Sequence, residues 1–350
     1  MGNTIDEKGD AVVLKEIVEK TISSFVDDTL TTVNDYAFFH CSSLTTINLS
    51  VATTICNCAF MSCESLTSVS LPLATTIGYS AFVYCKNLTT VSLPAATTIG
   101  SFAFTSCSSL ANVNLPVATT IDTNAFRDCS KLTTVSLPKA VTIGQSAFYG
   151  CKSLTSVSFP LVTTIGSYAF QSCSSLATVS MPEVTYVSIR AFGSCINLTT
   201  VDLPKVKKIF AEGFYDCEKL ATVSLPVLEE LGTSVFIYGY SLTSMNLPMA
   251  RLIGGYAFSL CSHLAVVSLP KVVSIGMYTF AQCKSLSQLY ILASSVCTLS
   301  NSVFLSTPMV NSSFLGYFGS VFVPESLVNA YKNATNWSSI SARITAYTGN

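Results

Sequence analysis

The sequence predicts an α/β solenoid, a right-handed coil with one short parallel strand in each 22-residue rung, mostly β and irregular, capped at both ends. Three observations predict it. Twelve leucines, from Leu44, Leu66 and Leu88 to Leu286, stand 22 residues apart with neither insertion nor deletion. The same spacing carries twelve phenylalanines, from Phe38 to Phe280, and eleven of the fourteen cysteines, from Cys41 to Cys283. A fixed period of this length marks stacked supersecondary units, none of which can bury its own apolar face alone.

Taken in chain order, residues 1–21 are read as an N-terminal cap helix. Val13, Ile17 and Val18 share one face of it, with Lys15, Glu16, Glu19 and Lys20 elsewhere. The solenoid is expected over residues 22–307. Ile22, Phe25, Leu30 and Val33 fit a degenerate first rung, the first of thirteen through Leu286. In each rung, an alternating segment such as Leu44, Ile47 and Leu49 signals a short, half-buried strand. A proline follows it in ten rungs, from Pro72 to Pro270, and ends the ladder because it has no N–H to donate. Glycine then follows the isoleucine in seven rungs, Gly78 and Gly100 among them, where the simplest reason is a tight corner of positive φ. Asp122 tolerates such a corner, and Phe210 at the same position marks a local departure. The Ala-Phe pair brings the aromatic ring inside from a short 3₁₀ or helical turn. After Leu286 the phase slips by two residues, so that Leu299, Val303 and Phe304 take over the Ile, Ala and Phe roles. Residues 308–350 are read as a C-terminal cap with a strand at Val321 to Val323, a helix over Glu325 to Lys332, and Trp337, Ile340 and Ile344 as apolar lids.

Composition excludes several functions. Charged residues make up 11% of the chain and the net charge is −1 without a run of like sign, so phosphate backbones find no footprint and no nucleic-acid partner is expected. No stretch approaches the roughly 18 consecutive apolar residues of a membrane span, so no membrane insertion is expected. The apolar stretch from Ala11 to Leu14 is too short for a signal-peptide core, so this numbering shows no export signal. His40 and His263, the two histidines, lie some ten rungs apart and cannot share a site. Without one of them no Ser–His–carboxylate or Cys–His arrangement can be assembled. No glycine-rich phosphate loop occurs either, and no enzyme and no cofactor are expected. The cysteine column is read as buried thiols that pack like alanines. A metal is not expected there, because a linear column cannot close a tetrahedron. Cys56, Cys58 and Cys297 lie off the column.

Two surfaces compete for a binding role. The concave strand face carries Thr46, Ser68, Thr90, Asn112, Thr134 and Ser156, a carpet of small polar groups without an anchor of the kind that dominates binding energy. The convex side and its turns carry bulkier groups. Tyr84, Phe102, Tyr149, Tyr168, Tyr215, Tyr256 and Tyr278 are the candidate binding residues, with Tyr79 and Tyr238 beside them. Charges one period apart, Glu183 with Lys205, Lys207 with Glu229, Lys208 with Glu230 and Glu229 with Arg251, read as an ion-pair ladder on the surface.

The repeated unit I-G-x-x-A-F-x-x-C-x-x-L-T-x-V-x-L-P resembles the BspA-like class of leucine-rich repeats from about Ile22 to Phe304. The tail V-F-V-P-E-S-L-V-N-A-Y-K-N-A-T-N-W is similar to the closing segment of such proteins. The resemblance implies a non-catalytic adhesion or binding scaffold of microbes, at the cell surface or outside the cell, with protein or glycan partners. Related arrays are also encoded by phages, which leaves as an alternative a structural virion or envelope component acting as rigid spacer or receptor binder. Two features depart from the family: the period is one residue shorter than usual, and no signal peptide or wall anchor is visible in this numbering.

Overall fold

A computed structural model describes residues 22–310, 316 and 318–349. The cap helix expected over residues 1–21 lies outside the described residues. The chain is a parallel-strand β-solenoid of about fourteen turns with few helices, and it divides into two compact units, one ending at Leu176 and the other beginning at Ala177.

In the first unit, three-residue strands at Ser24–Val26, Thr46–Asn48, Ser68–Ser70, Thr90–Ser92, Asn112–Asn114 and Thr134–Ser136 form a parallel sheet in chain order. Their register is one period, Thr46 opposite Ser68, Ile47 opposite Val69 and Asn48 opposite Ser70. The central apolar residue points inward and its flanking polar residues outward, as a pleat of period two requires. Where one strand per rung is expected, the structure has two. The T-T-I segment forms a second, two-residue strand in every turn, and Thr32–Val33 through Thr164–Ile165 make a seven-stranded parallel sheet of their own.

The glycine after the isoleucine serves close approach of neighbouring turns and not a left-handed corner. Neither Gly78 nor Gly100 has positive φ. A Cβ on Gly78 would lie 2.7 Å from the carbonyl carbon of Cys56, and one on Gly100 would lie 2.6 Å from the Ile77 oxygen. Glycine lets the backbones of neighbouring turns come together. Phe210 is no departure: its N–H donates to the Val187 oxygen at 2.8 Å, as that of Gly232 does to Ile209 at 2.8 Å.

Left-handed backbone is found elsewhere in the turn. The residues two before and two after each core phenylalanine have φ between 50° and 71°, as at Cys58 and Ser62 around Phe60 or Phe102 and Ser106 around Phe104. Among the described residues of the repeats no 3₁₀ or α-helix occurs, so the expected helical turn is replaced by this alternating path. The alternation turns every second N–H toward the following rung. Those of Cys58, Phe60 and Ser62 donate to the oxygens of Tyr79, Ala81 and Val83 at 2.8, 2.8 and 2.7 Å. A third inter-rung ladder thus replaces the hydrogen bonds a helix would have closed on itself, and it offsets a conformation that costs L-residues about 1–2 kcal/mol each.

Inside the coil the phenylalanines stack, Phe82 on Phe104 at 5.0 Å and Phe104 on Phe126 at 5.3 Å with nearly parallel rings. The thiols beside them do more than fill alanine-sized space. The Cys85 thiol donates to the Phe60 oxygen at 3.2 Å, and Cys129 to Phe104 at 3.2 Å.

The second unit repeats this construction. Its two-residue strands run from Tyr186–Val187 to Thr298–Leu299. Its three-residue strands include Ser244–Asn246, Val266–Ser268 and Gln288–Tyr290, continued by Ser320–Val323 and Ile344–Ala346. The two-residue slip lies between Tyr290 and Thr298, because Ser268 still faces Tyr290 while Ser274 faces Thr298. Ala293–Ser295 therefore bulges from the rung. A 3₁₀ turn at Glu325–Leu327 leads into a helix at Val328–Asn333. Buried Trp337 donates through Nε1 to the Cys297 oxygen at 2.9 Å, while Tyr331 Oη accepts the Cys297 N–H at 3.1 Å.

Candidate interaction surface

The threonine-rich strand side is already engaged in holding rungs together. Thr67 and Thr89 Oγ1 donate to the oxygens of Thr45 and Thr67, each at 3.0 Å, and Thr75 and Thr97 do the same along the second ladder. Threonine at these positions therefore serves the backbone, a role that β propensity alone does not reveal. Outward-facing strand residues such as Thr134 and Ser136 are exposed. They are small, and one of them is paired: Thr134 Oγ1 donates to Asn112 Oδ1 at 2.6 Å.

The bulky groups sit on the turns. Tyr84, Phe102, Tyr168, Tyr238, Tyr256 and Tyr278 all occupy the left-handed positions, where Ser80, Asn124 and Ser146 stand in other turns. None of these rings belongs to the buried core. In the first unit, Tyr79 and Phe102 meet edge to face at 5.5 Å, and the Arg127 guanidinium lies 4.3 Å over the Tyr149 ring. Tyr84 and Tyr168 have no aromatic neighbour among the described residues. In the second unit, Tyr256 stacks on Tyr278 at 5.0 Å, and Tyr215 meets Tyr238 at 5.7 Å. Tyr240, which the sequence reading passes over, joins Tyr238 at 6.1 Å. Burial pushes the Tyr215 and Tyr240 hydroxyls up, helped by Tyr238 and by the carboxylates of Asp216 and Glu218 respectively. Arg190 reaches both the Tyr215 ring, at 5.6 Å, and the Glu212 carboxylate. The signal that could have found Tyr240 is its place two residues beyond Tyr238, where its N–H bonds back to the Tyr238 oxygen at 2.8 Å.

The charge ladder forms in part. Lys205 pairs with Glu183 at 2.7 Å, Lys208 with Glu230 at 2.6 Å and Lys207 with Glu229 at 3.7 Å. The expected Glu229–Arg251 pair is absent: those residues meet through the backbone, the Arg251 N–H donating to the Glu229 oxygen at 2.8 Å. Lys86 with Glu64, at 2.8 Å, is an additional pair one period apart. Among the described residues no three His, Cys, Asp or Glu side chains are grouped as metal ligands would be, and no helix is long and apolar enough to cross a membrane.

Comparison with known proteins fits this geometry. The model of the BspA type leucine rich repeat region, in six copies, matches residues 19–129, 75–199, 141–265 and 185–311. Among solved structures, the chain is similar to a leucine-rich repeat protein from Bacteroides ovatus, with a TM-score of 0.62 and 22% identity over 91% of this chain and 88% of that one. It is also similar to a leucine rich cell surface protein from Faecalibacterium prausnitzii, with a TM-score of 0.47 and 23% identity over 86% and 89% of the two chains. No curated protein matches it.

Proposed function

The chain belongs to the BspA-type leucine-rich repeat family, and from that membership we propose that it is a non-enzymatic binding or adhesion scaffold. It acts at a cell surface or outside the cell, and it meets protein or glycan partners through the aromatic residues of its turns.

One observation carries this reading. The repeat itself shows what packing asks of a left-handed turn position: serine or asparagine suffices at Ser80, Asn124 and Ser146. Tyrosine at Tyr256 and Tyr278 is therefore not a requirement of the coil, and these stacked rings remain accessible, with Tyr256 37% exposed. Tyrosine provides a large contact area at small entropic cost, whereas serine and threonine are under-represented among residues that dominate binding.

The test is a screen of the full chain against extracellular matrix proteins and glycans, followed by variants against whichever partner binds. Tyr256→Ala and Tyr278→Ala are each expected to weaken binding by about 1–2 kcal/mol, while Thr134→Ala combined with Ser136→Ala leaves it nearly unchanged. Loss of binding in the strand-face double variant, with both tyrosine variants intact, would move the site to the strands.

A further inference from the structure

The repeat is interrupted at one place in a way that makes a groove. In the first unit the positions along the second ladder are threonines apart from Val141, with Thr53, Thr75, Thr97 and Thr119 in one column and Thr54, Thr76, Thr98 and Thr120 in the next. In the second unit these columns become Lys207, Glu229, Arg251 and Val273, and Lys208, Glu230 and Leu252. Packing does not call for the change, because threonine serves both columns elsewhere. Three lysines here are matched to three glutamates. Arg251 and Lys271 are left with no carboxylate in bridging distance among the described residues, Lys271 Nζ contacting only the Met249 sulfur at 3.1 Å.

Those two cations flank a groove of about 440 Å³ whose far wall is the Ala293–Ser295 bulge. A second depression of about 350 Å³ adjoins it, sharing Arg251 and Val273, reaching Leu252 and lined also by Glu229 and Glu230, whose carboxylates pair with Lys207 and Lys208. The bulge is a fixed wall: Tyr331 Oη donates to the Ser295 oxygen at 3.3 Å and Trp337 holds the Cys297 oxygen behind it. Leu252 and Val273 are each 44% exposed beside the guanidinium.

We propose that this groove binds a carboxylate-bearing peptide segment of a partner protein, with the side-chain carboxylate of an Asp or Glu on Arg251 and Lys271 and a neighbouring aliphatic side chain on Leu252 and Val273. The planar guanidinium fork matches a carboxylate in two parallel hydrogen bonds, and a guanidinium without an internal partner is available to make them. The serine hydroxyls of the bulge supply further polar contacts at the rim. A uronic or sialic acid would present the same charge, but no aromatic platform on which a sugar ring could stack lines either depression. The aliphatic rim favours a peptide.

This inference rests on the scaffold reading, and its test separates the two. A library of random twelve-residue peptides displayed on phage is selected on the full chain and, in parallel, on the Arg251→Met, Lys271→Met double variant, with thermal unfolding as the control for folding. Selection on the native chain is expected to enrich acidic peptides. An enriched peptide, synthesised, should bind the double variant at least tenfold more weakly, lose affinity when its acid is changed to the amide, and weaken as salt rises. Arg251→Lys keeps the charge and loses the fork, so it should give a smaller loss. Enrichment of non-acidic peptides that depends on Tyr256 and Tyr278 would overturn the groove and leave the scaffold reading standing. Equal binding of acidic peptides to native and double-variant chains would overturn the groove alone. Capture of oligoglucuronate by Arg251 and Lys271, with no acidic peptide enriched, would overturn the peptide assignment.

Discussion

A single residue in this array is worth what its column makes of it. Phe148 is fully buried and lies between Phe126 and Phe170, each 5.4 Å away with rings within 7° of parallel. Truncation removes both stacking partners' contacts in a coil that cannot collapse into the void without shifting its ladders. Phe148→Ala is therefore expected to cost about 3–5 kcal/mol in urea unfolding, and a loss below about 1 kcal/mol would mean that the column is not the core. This column was legible in the sequence, because a large apolar ring recurring every 22 residues, in step with leucine and cysteine columns, is what a stacked core calls for. The thiol column was legible as buried, but its hydrogen bonds were not. A cysteine's donor finds the oxygen of the phenylalanine 25 residues before it, as Cys107 finds Phe82 at 3.1 Å, and only the folded path brings those atoms together.

At the scale of the element, the turn is where sequence reasoning and structure part. Glycine frequency pointed to a left-handed corner after the isoleucine, whereas the left-handed residues flank the phenylalanine and are mostly not glycine. The exception gives a test. Gly150 has φ of 71° at the position that Ser106 fills with φ of 60° two turns earlier. Gly150→Ala is expected to destabilise by about 1–2 kcal/mol, the cost of a Cβ in left-handed backbone, increased by the nearby Asp128 Oδ1. Ser106→Gly should stabilise by up to about 1 kcal/mol, the relief being partly cancelled by the greater freedom of glycine in the unfolded chain. Thermal or urea unfolding of both variants reads the sign. If Ser106→Gly and Gly150→Ala shift stability in the same direction, backbone strain is not what distinguishes the two turns.

Across the whole molecule, the buried thiols couple stability to pH. Burial pushes Cys85 and Cys173 up to about 12 from an ordinary value near 9. Folded chains keep these thiols neutral while unfolded chains ionise them, so their contribution is fully present below about pH 9 and is lost as pH rises toward 12. The thermal midpoint should be flat near neutrality and fall above about pH 9, and the fall should be less steep in the Cys85→Ala, Cys173→Ala double variant. Identical slopes in the two proteins would show that other groups set the alkaline limit. The sequence by itself determined the coil, its period and the inward residues, because a strict repeat with alternating polarity leaves one way to bury its apolar side. Tertiary structure decided the second strand, the site of the left-handed residues and which charges remain unpaired. Each of those depends on how closely one rung approaches the next, a distance that glycine at Gly78 permits and the Ala293–Ser295 bulge interrupts, and no spacing along the chain records it.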